Sequence, residues 1–208
     1  MKTVNNNAAV IDCGYVLKYS EYFNKLGKDP STDKALKLIK IITQEITKAD
    51  VLPGVPRWSE NRKAIVSSGF SEVTPGIDFT TWCIYPVYRV LKFYRYDVNL
   101  IVDEKYHHIG YTDGNEMAGL FQKNCTEIEY TEAQQKANNG DVVGVAAFGK
   151  NGKAGHVGIV APNILPVKNK SKIIVGQAGW INGFFPIYSC FPKSLVTEPK
   201  FYILPKVK

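Results

Sequence analysis

Two short apolar runs, Val142 to Phe148 and Val157 to Ala161, flank the turn-rich segment Gly149 to Gly155. This pattern predicts a hairpin of two buried strands. A polar residue, His156, opens the second strand. An imidazole between a glycine and a rigid apolar run is held by the scaffold and reached by solvent, as a general base must be. A histidine at a strand end is otherwise a structural hydrogen-bonder, so its meaning depends on a partner supplied from elsewhere.

The same reading along the chain predicts further elements. Asp12 to Gly27 reads as an amphipathic helix with Asp12 as N-cap and Gly27 as its stop. A second helix, entered through Asp29 and Pro30, places Ala35, Leu38, Ile39, Ile42, Ile46 and Ala49 on one face. Val51 to Asp78 carries several Pro, Gly and Ser residues and reads as connecting structure around a short helix near Ser59 to Ser67. From Asp78 the residues Val87, Val90, Leu91 and Tyr94 repeat at helical spacing, with Thr80 or Thr81 as cap and Cys83 in the first turn. Two short helices are expected around Glu116 to Gln122 and Thr131 to Ala137, separated by Cys125 to Tyr130. Beyond the hairpin, Ile173 to Trp180 reads as a strand whose polar exception is Gln177, and Phe184 to Ser189 and Lys200 to Leu204 suit two more. The outline is an α+β domain: an N-terminal helical subdomain over residues 1–77 packed on a core over 78–208.

Composition narrows the class of partner. The 208 residues are 45% hydrophobic, enough for a sizeable core. A net charge of +7 favours anionic partners, but the basic residues are scattered and nowhere interleaved with aromatics as in a nucleic-acid site. No apolar run approaches membrane-spanning length, and the Asn-rich start, Met1 to Ala9, lacks the apolar centre of a signal peptide. A mature or engineered form, or export by another route, is the expectation. Cys13, Cys83, Cys125 and Cys190 lie far apart, with no Cys-x-x-Cys pair for zinc or redox chemistry. Cys125 and Cys190 are expected in the core or in a disulfide. His107 and His108, near Asp103 and Glu104, lack ligand spacing and read as a solvated loop. No metal or cofactor is expected.

Cys83 supplies the partner that His156 needs. At a helix start, unpaired backbone N–H groups and the positive end of the helix dipole favour a thiolate. Pro86 is tolerable there because few intrahelical bonds are lost so near the start. A cysteine opening a helix, a histidine on a later strand and a polar residue on the next strand form the arrangement of a cysteine hydrolase. The thiolate attacks a carbonyl, the imidazole moves the proton, and the third side chain orients the ring. Cys83, His156 and Gln177 are the catalytic candidates.

At these residues the chain resembles the papain-like peptidoglycan amidases of the CHAP and NlpC/P60 groups, and more closely the CHAP side. The resemblance rests on Trp82-Cys83 followed by Val87, Val90 and Leu91, on Gly155-His156-Val157-Gly158-Ile159-Val160, and on Gln177 before Trp180. Asn115-Glu116-Met117 and Ala137-Asn138-Asn139-Gly140 are similar to connecting segments of such relatives. The resemblance covers roughly the last two-thirds of the chain. It implies a papain-like fold, cleavage of an amide bond in peptidoglycan, Trp82 and Trp180 at the substrate, secretion or delivery to the periplasm or cell wall, and an immunity protein as a further partner. Asp12-Cys13-Gly14-Tyr15-Val16 resembles the NlpC/P60 nucleophile motif and makes Cys13 a rival. His156 follows Cys83 by 73 positions and Cys13 by 143, and the shorter separation is the one similar to these families. Ile84, Pro86 and the neutral Gln177 depart from the usual pattern, which leaves open a catalytically silent wall-binding module or an acyltransferase on another amide.

Overall fold

Unbroken apolar strands suit a sheet covered on both faces, and the central hairpin is built in that way. The computed structural model describes residues 33–51, 57–59, 64–66, 83–102, 114–163, 167–178 and 183–207. In chain order these form α1 (Asp33–Val51), β1 (Arg57–Ser59), β2 (Ala64–Val66), α2 (Ile84–Phe93), α3 (Gly114–Asn124), β3 (Thr126–Ile128) and α4 (Tyr130–Asn138). There follow β4 (Gly144–Ala147), β5 (His156–Val160), β6 (Ile174–Gln177), β7 (Gly183–Pro186), the single turn α5 (Ile187–Cys190) and β8 (Lys200–Ile203). The architecture is α+β. One antiparallel sheet has the strand order β3-β8-β4-β5-β6-β7, and β1 and β2 pair separately.

Side chains alternate across β4 and β5, so the two faces meet different helices. Ala146, Val157 and Ile159 are buried with Ile84, Val87, Val90 and Leu91 of α2, Met117 and Phe121 of α3, and Leu38 and Ile42 of α1. On the other face Val145, Ala147, Val160 and Val175 pack with Ala133 and Ala137 of α4, and with Ile187, Cys190 and Phe191. The helical stripe predicted for α1 is real: Ala35, Leu38, Ile39, Ile42 and Ile46 are buried while Lys34, Lys37 and Lys40 are exposed. Glu45 is also buried and pairs with Arg89 of α2 at 3.4 Å, tying the two helices together.

The end of α2 is closed in an unusual way. The N–H of Arg95 bonds the Lys92 carbonyl and that of Tyr96 bonds Leu91, the two bonds of a Schellman motif. Arg95 takes the left-handed position, φ 60°, where glycine is the common residue. Beyond it Tyr96 is buried, and its hydroxyl accepts a hydrogen bond from the Val142 N–H at 3.2 Å at the entrance to β4. Tyr96→Phe strands that buried N–H and is expected to lower stability by about 1–3 kcal/mol in urea unfolding. An unchanged midpoint would show that Val142 finds another partner.

Three elements differ from the sequence-based expectation. Where a short helix was expected near Ser59 to Ser67, residues 57–59 and 64–66 are instead paired strands with Trp58 opposite Ile65. Aromatic and β-branched residues favour that state. The strand expected over Phe184 to Ser189 ends at Pro186, which has no N–H for the ladder and instead precedes α5. Cys125 to Tyr130, expected to be a connection, contains β3, paired with β8. The helix expected over Asp12 to Gly27 lies outside the described residues, as do Thr80, Thr81, His107, His108, Asp103 and Glu104. Cys83, Cys125 and Cys190 are free thiols, Cys190 in the core as one of its two alternatives required. No helix among the described residues is long and apolar enough to cross a membrane.

Candidate active site

The end of the sheet where β5 begins and β6 stops gathers three of the predicted site residues. His156 is the first residue of β5 and pairs with Ala147, the last of β4. The β5–β6 register sets Ile159 against Gly176 and Val160 against Val175. One step further, Gln177 falls opposite Gly158, two residues from His156 and on the same face. Such diagonal neighbours are within reach of long side chains. Between them, Gly158 has no room for a side chain: a Cβ there would lie 2.5 Å from Val175 Cγ1.

Gln177 Oε1 bonds His156 Nε2. A carboxamide oxygen only accepts, so Nε2 carries the hydrogen. In the neutral ring Nδ1 therefore holds the lone pair, and Nδ1 is the nitrogen left for Cys83, whose side chain is hydrogen-bonded to the imidazole. Phe191, fully buried, lies against the ring with centroids 4.9 Å apart at 56°, closing one side of it. Gln177 is buried and His156 half-buried, so the ring is wedged rather than free to turn.

Cys83 takes the N-cap position of α2 rather than a place inside its first turn, and its side chain makes no capping bond. The thiol is buried, 8% exposed, next to the first helical turn. Pro86 is the third helical residue, among the first four positions whose N–H groups have no intrahelical acceptor, so its missing N–H costs no bond. Burial alone would lower the imidazole pKa. The hydrogen bond and charge of Cys83, and the bond from Gln177, more than offset this and raise it above the ordinary value. The arrangement favours the imidazolium form of His156 beside Cys83.

Chemically, these groups can supply a nucleophile, a proton carrier and a residue that orients the carrier. Trp82 and Trp180 lie outside the described residues, as does the rival Cys13. Cys125 is remote in character: burial pushes its thiol up to about 12. Among the described residues no group of three or more His, Cys, Asp or Glu could hold a metal ion. Sequence reasoning did not single out Phe191, which no local pattern connects to His156. No protein-family model and no curated protein matches the chain.

Proposed function

We propose that this protein is a papain-like cysteine hydrolase that cleaves an amide bond in peptidoglycan. The observation that carries the reading is Cys83 at the start of a helix, hydrogen-bonded to His156, which in turn bonds Gln177. The sequence resemblance supplies the substrate, and the net charge of +7 suits an anionic wall. An immunity protein would be a further partner, and the site of action would be the periplasm or cell wall.

In this mechanism the Cys83 thiolate attacks the amide carbonyl carbon and forms a C–S bond. The oxyanion is met by backbone N–H groups where α2 begins. The imidazolium passes its Nδ1 proton to the leaving nitrogen as the C–N bond breaks, leaving a thioester and a neutral ring. Nδ1 then takes a proton from water, whose oxygen attacks the thioester. Collapse of that intermediate releases the carboxylic acid and returns sulfur to the thiolate. Gln177 holds Nε2–H through both steps.

The test is mass spectrometry of peptidoglycan digested with wild type, Cys83→Ala and Cys13→Ala. New muropeptides from wild type and Cys13→Ala, with none from Cys83→Ala, are expected. Products from folded Cys83→Ala would sink the assignment. Binding to the wall without products from any form would favour the silent module.

A further inference from the structure

The β4–β5 hairpin does not reach its turn by an unbroken ladder. The register that pairs Ala147 with His156 also sets Lys150 against Lys153, and the turn between them is a two-residue reversal at Asn151, φ 52°, and Gly152, φ 74°. Both central residues are left-handed, as a type I′ turn requires. The Lys153 N–H closes it on the Lys150 carbonyl at 3.0 Å. In between, the rung that would join Gly149 to Ala154 is replaced. The Gly149 N–H donates to Asn115 Oδ1 at 2.8 Å, and Asn115 Nδ2 donates to the Lys153 carbonyl at 3.1 Å. A side chain from the first turn of α3 is thus spliced into the hairpin one rung beyond His156.

Close packing fixes the splice. A Cβ built on Gly114 would lie 2.3 Å from the Gly155 carbonyl oxygen. One on Gly155 would lie 2.7 Å from Asn115 Oδ1, 2.8 Å from the Gly114 oxygen and 2.9 Å from the Ala147 oxygen. The backbone of α3 therefore rests on the residue just before the histidine.

We propose that Asn115 is a positioning residue for His156: by bridging Gly149 and Lys153 it sets where β5 begins, and so where the imidazole meets Cys83. The inference rests on the Cys83–His156 pair of the proposed function. A second asparagine offers an internal control. At the other end of β5, Asn138 of α4 accepts from the Asn163 N–H at 2.7 Å and donates to its carbonyl at 2.9 Å, clipping the chain as it leaves the strand.

The experiment follows the rate of Cys83 alkylation by iodoacetamide against pH, with the modified peptide identified by mass spectrometry. It needs no peptidoglycan. In wild type, Cys83 is expected to react well below the pH at which a free thiol does, and His156→Ala to abolish this. Asn115→Ala is expected to cut the neutral-pH rate by roughly tenfold to a hundredfold, the scale of a small misplacement. Asn115→Asp keeps the Oδ1 acceptor for Gly149 but sets a carboxylate oxygen against the Lys153 carbonyl, so it should also lower the rate, and it serves if the alanine variant does not fold. Asn138→Ala should lower thermal stability and leave the profile unchanged. Profiles of both Asn115 variants that superimpose on wild type, or an equal shift in Asn138→Ala, would overturn the proposal. A wild-type profile identical to that of His156→Ala would overturn the pair itself, and the inference with it.

Discussion

His156→Ala is expected to lower amide cleavage by about 10⁴-fold, the upper range for loss of a general acid–base group. Without the imidazole, Cys83 has no partner favouring its thiolate, and the leaving nitrogen has no nearby proton donor. Cys83→Ala is expected to remove the activity altogether. The double variant should be no worse than Cys83→Ala alone, because the two groups act as one unit and their losses do not add. The measurement is release of new amino groups from purified peptidoglycan, with circular dichroism to confirm the fold, since His156 also packs on Phe191. His156→Ala retaining activity within tenfold of wild type would end the dyad mechanism, whatever the thiol does.

How much of this was readable from the chain depends on the distance over which each signal acts. The hairpin was legible because Val142 to Phe148 and Val157 to Ala161 are apolar without interruption; the observed β4 falls inside the first, and β5 follows the second apart from its opening residue, His156. The stripe of α1 and the position of Cys83 at a helix start were legible from spacing alone. β3 was not: its three residues carry no apolar alternation, and it exists as a strand because Glu127 lies against Tyr202, far along the chain. The end of β7 was readable from Pro186, but the apolar run around it outweighed that signal.

The site divides in the same way. That a histidine, a cysteine and a glutamine occupy suitable elements is a local fact. That Gln177 reaches His156 depends on the β5–β6 register, since a slip of one residue would turn Gln177 to the other face of the sheet. Phe191 and Asn115 belong to the same tertiary category. Each touches the histidine or its loop only because α5 and α3 pack where they do. The partners of the imidazole were nameable from sequence, whereas the groups that hold it still were not.

Gln177 is where the second large effect is expected, and its sign can be worked out from the balance at His156. Burial pulls the imidazole pKa down; the bond and charge of Cys83, then the bond from Gln177, bring it above the ordinary value of about 6.5. In the proposed mechanism the imidazolium form delivers the proton to the leaving nitrogen. Activity is therefore present below the folded-state pKa and lost as pH rises through it. Gln177→Ala removes one of the raising contributions and leaves burial less opposed, so the alkaline limb of kcat/KM should move to lower pH. With Nε2–H no longer held, the rate at the optimum should also fall, by roughly tenfold to a hundredfold. Gln177→Glu should move the limb the other way, because a carboxylate against the ring stabilises the imidazolium more than an amide does. A pH–rate series on the three forms checks both signs at once. An alkaline limb that stays in place in Gln177→Ala would mean that the limb belongs to another group, and that the buried amide orients the ring without tuning its charge.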